Sequence, residues 1–258
     1  MRLLLTSGGI TNPSIEAAMV GLLGKPVAES HALCVPTAQW GHPMCGPLGA
    51  RAFVAGDPAR GTPMTSLGWA SVGLLEVSAL STVGRDRWEP WVREADVLLV
   101  DGGDATYLAH WMWESTLADL VPALTDTVWV GLSAGSMVMT PRIGEDFVAW
   151  SGAPDDRTLG VVDFSIFPHV GHPMMPENTM AEAERWAATI GGPAYAIDED
   201  TAIVVADGAV EVVSEGTWQH FPGLRLRDVS YCCRYGTPSA AGGRDRPTRP
   251  ATAKIVTR

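Results

Sequence analysis

Short apolar segments alternate with longer segments of helical period along this chain, and the alternation restricts its fold more than any other feature. Residues 2–6, 32–36, 95–100 and 126–130 read as strands, while residues 14–23 repeat apolar side chains at helical spacing. Strands separated by helices form βαβ units, whose strands run parallel within one sheet. The sequence therefore predicts an α/β fold with a mainly parallel sheet covered on both faces.

The remaining predicted elements are shorter, and the segment 41–68 is rich in glycine and proline, so we expect it to be irregular or partly helical. Asp207-Gly208 predicts a tight hairpin turn. The further predicted strands are 72–77, 163–168, 195–198, 201–206 and 209–214, and the further predicted helices are 88–94, one through Leu108 and Met112, 115–124 and 178–190.

The domain organisation follows from composition near the C-terminus. Residues 237–258 contain five basic residues and one acid among glycine, proline and alanine, which predicts a flexible basic tail. Residues 1–236 show no internal repeat and no reason for a second domain. We therefore expect one α/β domain over 1–236, followed by the tail.

The charge balance bears on partners and location. The formal net charge is -11, with 18 basic residues against 29 acidic ones, and this balance argues against a nucleic-acid partner. The first apolar run, residues 3–5, ends at the polar and glycine residues 6–9 and is too short for the apolar region of a signal peptide. No apolar stretch approaches the roughly 20 residues needed to cross a bilayer. We expect a cytoplasmic protein without a membrane partner.

The cysteines predict neither disulfides nor a metal site. Cys34, Cys45, Cys232 and Cys233 form no disulfide framework in a chain of 258 residues, and no C-x-x-C pair suggests zinc. We expect reduced, mostly buried thiols.

Gly131-Leu132-Ser133-Ala134-Gly135 follows the strand predicted at 126–130, and residues 137–139 could open a helix. A sharp turn from strand to helix can hold a serine hydroxyl clear of a sheet as a nucleophile, with small flanking residues because the turn is crowded. Glycine and serine also occupy such turns merely as caps. The motif alone leaves both interpretations open.

A second glycine turn, Asp101-Gly102-Gly103-Asp104, follows the preceding predicted strand. A backbone N–H exposed by a glycine there could hold an oxyanion together with the N–H of Ala134. Alternatively, this is a tight turn in which Asp104 caps the next helix. Both loops are expected at the same sheet edge, where ligands of such sheets bind.

A serine nucleophile needs a base and an orienting acid. His169 follows the apolar residues 164–167 and Pro168, so it is presented at a strand end. His172 is a plausible neighbour, but the His-x-x-His pair has no obvious third ligand, and we expect no metal. Residues 197–200 offer three carboxylates at another strand end, although such a cluster can also be a solvated turn.

These motifs, taken in order, resemble those of the peptidase S51 family, which includes peptidase E (aspartyl dipeptidase) and cyanophycinase. The resemblance runs from the N-terminus to about Gly216. It rests on the ordered segments 3–9 (Leu-Leu-Leu-Thr-Ser-Gly-Gly), 102–104 (Gly-Gly-Asp), 131–136 (Gly-Leu-Ser-Ala-Gly-Ser), 168–169 (Pro-His) and 197–202 (Ile-Asp-Glu-Asp-Thr-Ala).

The resemblance implies a doubly wound sheet of the flavodoxin-like or class I glutamine amidotransferase-like type and a Ser-His-Glu triad. Ser133 would be the nucleophile, His169 the general base and Glu199 the orienting acid, with Gly103 and Ala134 forming the oxyanion hole. The implied activity is that of a serine exopeptidase acting on short peptides, dipeptidase-like and without a cofactor. We expect a monomer or a small homo-oligomer.

Three further residues are auxiliary candidates. Gly102 neighbours the implied oxyanion glycine, and Asp146 is the nearest match to an acid that some family members need between serine and histidine. Peptidase E recognises an N-terminal aspartate through an arginine in the helix after the histidine. Here alanine or glutamate stands near that position, and Arg185 could substitute from a shifted register, so aspartyl specificity does not follow.

Two rival functions remain open from the sequence. An α/β-hydrolase esterase shares G-x-S-x-G and would pair Ser133 with a late histidine, His220, although the His-Gly-Gly sequence typical of its oxyanion hole does not occur. A catalytically inactive ligand-binding member of the same fold is the second rival, because a fold does not fix a function.

Overall fold

The structure, a computed structural model, describes residues 1–57 and 64–223, and ten strands and eight α-helices alternate within these ranges. The strands are β1 (Arg2–Thr6), β2 (His31–Val35), β3 (Ser71–Leu74), β4 (Val97–Val100), β5 (Val128–Leu132), β6 (Ser165–Phe167), β7 (Ala194–Ile197), β8 (Thr201–Ala206), β9 (Ala209–Ser214) and β10 (Trp218–Phe221). The helices are α1 (Pro13–Leu23), α2 (Pro47–Ala55), α3 (Val77–Leu80), α4 (Arg85–Glu94), α5 (Ala105–Glu114), α6 (Leu117–Leu120), α7 (Ala134–Met137) and α8 (Met180–Ile190).

A seven-stranded sheet organises most of these elements, in the order β3-β2-β4-β5-β1-β8-β9. The five strands from β3 to β1 are parallel, and β8 and β9 add antiparallel pairs at one side. Leu3 and Leu5 pack in the core on one face and Leu4 in the core on the other, because successive side chains of a strand point to opposite faces. The predicted α/β fold with a mainly parallel, doubly covered sheet is confirmed.

A second sheet has three strands in the order β10-β7-β6. β6 and β7 come from the part of the chain between the serine turn and β8, and β10 follows β9. β6 and β7 are parallel, and β10 joins β7 antiparallel. The sheet shares a small core with α8, in which Phe167 and Trp186 are buried. The sequence indicated β6 and β7 but neither this separate sheet nor β10, because strand pairing depends on tertiary contacts.

Several predicted elements differ at their ends. The strand expected over 72–77 ends at Leu74, and α3 begins at Val77 because the Glu76 side chain accepts a hydrogen bond from the Ser78 N–H. The segment 41–68 contains α2, and the helix expected over 115–124 is the short α6 followed by a 3-10 turn. The hairpin at Asp207-Gly208 is confirmed, with positive φ at both residues.

The domain and cysteine expectations are only partly covered by the described residues. The boundary at 236, the tail over 237–258 and Cys232 and Cys233 lie outside them. Cys34 is buried as expected, whereas Cys45 is exposed. None of the helices in the described ranges has the length and apolar character needed to span a bilayer.

Candidate active site

The serine turn joins β5 to α7 and is closed by two glycines. A Cβ at Gly131 would lie 2.4 Å from the Gly135 carbonyl oxygen, and a Cβ at Gly135 would lie 2.3 Å from that of Val100. Only residues without a side chain fit there. Ser133 between them has φ 49° and ψ -110°, a conformation that is uncommon outside glycine and persists where the surrounding structure imposes it.

Hydrogen bonds to β1 fix this turn. The Ser133 N–H donates to the Thr6 carbonyl at 2.9 Å, and the Thr6 N–H donates to the Ser136 hydroxyl at 2.8 Å. Ser136 is fully buried, and its hydroxyl also lies 2.8 Å from the Gly131 carbonyl oxygen. The nucleophile candidate is therefore held by the central sheet.

His169 contacts this serine from the second sheet, and Glu199 contacts His169. His169 follows β6, and its Nε2 lies 2.8 Å from the Ser133 Oγ. Its Nδ1 lies 2.5 Å from Glu199 Oε1, in the turn between β7 and β8. The network assigns the proton to Nδ1, because a carboxylate accepts there, and leaves Nε2 free to accept from the serine hydroxyl.

The other two carboxylates of the 197–200 segment do not make this contact. Asp198 accepts from the Thr201 hydroxyl at 2.7 Å and from the Asp200 N–H at 3.1 Å, so its carboxylate shapes the turn. Asp200 is exposed. Of the three acids that the sequence offered, Glu199 is the one that meets His169.

The two backbone groups implied for an oxyanion hole belong to Gly103, which borders the same cleft as Ser133, and to Ala134, the residue after Ser133. Ala134 is the first residue of α7, a position whose N–H has no partner within a helix. Gly103 has φ 135°, and a Cβ there would lie 2.2 Å from the Ala38 carbonyl oxygen. The Gly102 N–H instead donates to Asp101 Oδ1 at 2.8 Å and is committed within the loop.

Asp104 ends this loop as the N-cap of α5, accepting from the Tyr107 N–H at 2.7 Å. The two interpretations of this turn are therefore compatible, because Asp104 caps the helix and a different residue, Gly103, is the implied oxyanion donor.

Asp101 lines the cleft, although the sequence indicated it only as part of a turn. Its carboxylate is 4% exposed and accepts from the Gln39 Nε2 at 2.8 Å as well as from the Gly102 N–H. Burial raises the pKa of Asp101 to about 7, although both hydrogen bonds oppose the rise. The available signal was an acid placed directly after a fully buried strand.

Ser133, His169 and Glu199 lie in a cleft of about 1050 Å3 whose walls are apolar and acidic. Met137, Phe147 and Trp186 line it together with Asp146 and Glu177, both of which are exposed. Such a mainly apolar cleft with a few polar groups is typical of small-ligand sites.

Arg185 also lines the cleft, from α8, and it forms an ion pair with Glu182 through a hydrogen bond of 3.0 Å from its Nε. The arginine that could have substituted for an aspartate-binding residue is therefore engaged by a neighbour on its own helix.

Two further histidines that the sequence singled out, His220 and His172, do not contact Ser133 as His169 does. His220 lies on β10 and stacks on Tyr195 with ring centroids 4.5 Å apart, so the esterase pairing with Ser133 does not form. His172 lies in the cleft with its Nε2 4.0 Å from Glu199 Oε1. Among residues 1–57 and 64–223, no group of three or more His, Cys, Asp or Glu side chains is arranged to hold a metal ion.

Comparison with known proteins gives a family and a fold. The sequence profile of Peptidase family S51 matches residues 61–213, more than half of the chain and the part that carries Ser133, His169 and Glu199. No curated protein matches the sequence significantly.

Two crystal structures share the fold. One is titled as a candidate peptidase E protein from Listeria monocytogenes EGD-e, with 18% identity, a TM-score of 0.61 and coverage of 83% of this chain and 98% of that one. The other is a peptidase from an acI-B1 Actinobacterium, with 19% identity, a TM-score of 0.58 and coverage of 86% and 94%. At these identities the similarity concerns the fold, and the expected flavodoxin-like arrangement is confirmed.

Proposed function

Because this chain belongs to peptidase family S51 and is a serine-type peptidase, we propose that it hydrolyses short peptides through the triad Ser133, His169 and Glu199. The observation that carries the proposal is the continuous hydrogen-bonded chain from Glu199 through His169 to the Ser133 hydroxyl, at 2.5 and 2.8 Å. Nucleophile, base and orienting acid in such contact are the parts that covalent acyl transfer requires.

The reaction begins with the formation of a tetrahedral intermediate. His169 Nε2 accepts the hydroxyl proton as Ser133 Oγ attacks the peptide carbonyl carbon. Negative charge then develops on the carbonyl oxygen, where the N–H groups of Gly103 and Ala134 would stabilise it. Glu199 keeps the Nδ1 proton in place and stabilises the imidazolium as it forms.

Breakdown of this intermediate forms the acyl-enzyme and releases the amine product, and hydrolysis of the acyl-enzyme releases the second product. His169 returns its proton to the leaving amine, and the peptide C–N bond breaks. A water molecule, deprotonated by the same nitrogen, then attacks the ester carbonyl of the acyl-enzyme and regenerates the Ser133 hydroxyl. These steps need no cofactor, since every proton transfer uses His169.

The charge of the cleft supports an exopeptidase. Asp146 and Glu177 line it, and Arg185, a basic residue in its wall, is paired with Glu182. Carboxylates near the bound substrate favour a free N-terminal amine over a blocked one. We therefore propose a dipeptidase-like activity on unblocked peptides. The proposal does not include a preference for an N-terminal aspartate.

The decisive experiment replaces the nucleophile. Ser133→Ala is expected to abolish hydrolysis of an unblocked dipeptide library while its circular dichroism and urea unfolding match the wild type. Turnover retained by the purified variant would reject Ser133 as the nucleophile. If wild-type enzyme cleaved N-acetylated peptides as fast as unblocked ones, the exopeptidase proposal would fail while the triad stood.

The histidine assignment has a separate test. His169→Ala is expected to lose activity about as completely as Ser133→Ala, because the nucleophile then has no base. His220→Ala removes a ring that stacks on Tyr195 and is expected to keep wild-type kcat. The opposite pattern would favour the esterase alternative.

A further inference from the structure

The segment Ser7-Gly8, at the end of β1, is part of the sequence motif that points to the family, yet the triad mechanism gives it no task. Ser7 is fully buried, and both residues border the cleft that contains Ser133. Its position is informative because β1 pairs directly with β5, the strand that ends at the nucleophile.

Ser7 connects the two sheets at the site. Its hydroxyl accepts a hydrogen bond from the His169 N–H at 3.0 Å and donates one to the Ile197 carbonyl at 3.0 Å. The neighbouring Thr6 carbonyl accepts from the Ser133 N–H at 2.9 Å. The end of β1 therefore accepts hydrogen bonds from the backbone of Ser133, which follows the main sheet, and from the backbone of His169, which follows the second sheet.

The backbone of His169 needs such a restraint. Its φ of 61° lies in the left-handed region, which is unfavourable for a residue with a side chain. A residue keeps this conformation where neighbouring groups fix it. The bond from the His169 N–H to Ser7 is a direct restraint on the dihedral angles that aim the imidazole at Ser133.

Gly8 sets the position of the acid. A Cβ at Gly8 would lie 2.1 Å from Glu199 Oε2, so the absence of a side chain leaves the space that this carboxylate occupies. The backbone of Glu199 is held separately, since the Thr11 hydroxyl donates to its carbonyl at 2.8 Å. A side chain at position 8 would displace the carboxylate while its backbone stayed in place.

We infer that Ser7 and Gly8 are positioning residues of this peptidase: Ser7 fixes His169 relative to Ser133 across the two sheets, and Gly8 fixes the carboxylate of Glu199 against His169. The inference rests on the proposed triad. It predicts losses in kcat rather than in substrate binding, because neither residue is assigned to the peptide itself.

Replacement of Ser7 tests the first half. Ser7→Ala is expected to lower kcat by about 10- to 100-fold with KM little changed, because small misplacements of a catalytic group cost rates of this order. The matched control is Ser30→Ala, which removes the hydroxyl of another fully buried serine, bonded to the Pro26 carbonyl at 3.0 Å. This control is expected to keep wild-type kcat.

A double-mutant cycle tests the second half. Gly8→Ala is expected to lower kcat about 10-fold or more on its own. In the Glu199→Ala background, where the displaced carboxylate is already gone, the same change should cost almost nothing further. Gly21→Ala, at a helical glycine whose added Cβ would meet open space, controls for an added methyl and is expected to keep wild-type kcat.

The outcomes separate this inference from the proposed function. Equal kcat losses in Ser7→Ala and Ser30→Ala, or a Gly8→Ala effect that is fully additive with Glu199→Ala, would overturn the positioning roles even though the wild type hydrolyses peptides through Ser133. A wild type without Ser133-dependent hydrolysis would instead remove the proposed function. A kcat loss confined to Ser7→Ala and non-additivity at Gly8 would support the inference.

Discussion

Ser133 and His169, whose side chains are in hydrogen-bond contact, both have positive φ, at 49° and 61°. Such conformations cost of the order of 1–3 kcal/mol each and concentrate where function requires them. Both are held by hydrogen bonds to the end of β1. At the residue scale, the end of β1 thus holds both backbones in conformations that keep the two side chains in hydrogen-bond contact.

Gly103 offers a test of the oxyanion hole. Gly103→Ala would place a Cβ 2.2 Å from the Ala38 carbonyl oxygen, so the loop must move and carry the proposed donor N–H with it. We expect kcat to fall by about 10²-fold or more, the usual effect of losing one oxyanion donor.

The matched control for Gly103 is Gly46→Ala. Gly46 has a similar φ of 141°, but a Cβ there meets nothing within 4 Å, so the variant carries the backbone strain without the collision. Steady-state kinetics should show kcat close to wild type for this control. Wild-type kcat in Gly103→Ala would argue against the assigned donor.

Asp101 predicts a pH dependence of stability. Because burial raises its pKa to about 7, the folded protein keeps a proton that the unfolded chain has lost between about pH 4 and pH 7. The free energy of unfolding should therefore fall as the pH rises from about 4 to about 7. Above about pH 7, Asp101 should cause no further change in the free energy of unfolding. The effect is of the order of a few kcal/mol at most.

Urea unfolding at pH 5 and pH 8 measures this effect. Asp101→Asn, which keeps the size of the side chain and cannot ionise, should lose less stability between the two pH values than the wild type. Asp119→Asn, at an exposed carboxylate, should follow the wild type. Parallel pH profiles of wild type and Asp101→Asn would show that Asp101 does not titrate in this range.

At the scale of elements, Asp104 joins α5 to the loop that forms one wall of the cleft. Its Oδ1 accepts from the Tyr107 N–H at 2.7 Å, and its Oδ2 accepts from the N–H groups of Ala149 and Trp150, both at 2.8 Å. The side chain is fully buried. One carboxylate therefore caps a helix and fixes a loop 45 residues away in sequence.

Asp104→Ala is expected to lower the free energy of unfolding by about 3 kcal/mol or more, since it removes a helix cap and leaves further donors unpaired. Thr179→Ala removes a cap that, among the described residues, accepts from the Glu182 N–H alone, and it should cost about 1 kcal/mol. Urea denaturation of both variants gives the comparison. Similar losses would mean that the loop bonds contribute little.

For the whole molecule, the net charge of -11 and the acidic cleft predict salt-dependent capture of cationic substrates. A dipeptide amide carries one positive charge, whereas the free dipeptide is a neutral zwitterion. The kcat/KM for the amide should fall more steeply as NaCl is raised from about 0.05 to about 1 M, because salt screens the attraction. Equal salt dependence for both substrates would remove this role of the charge.

The sequence by itself determined the parts of this protein that depend on local pattern. Apolar periodicity predicted the strands of the central sheet, glycine spacing predicted the serine turn, and the hairpin at Asp207-Gly208 needed only local backbone preferences. Ordered motifs also pointed to the family whose sequence profile matches residues 61–213.

The tertiary structure alone decided how these parts meet. It decided that Glu199, and not Asp198 or Asp200, contacts His169, and that β6 and β7 form a sheet of their own. It also decided that Asp101 is buried beside Gln39 and that burial raises the pKa of Asp101. Each of these results depends on residues distant in sequence. Hydrogen bonds and desolvation act over a few ångströms of space, and a one-dimensional pattern does not specify which distant groups come within that range.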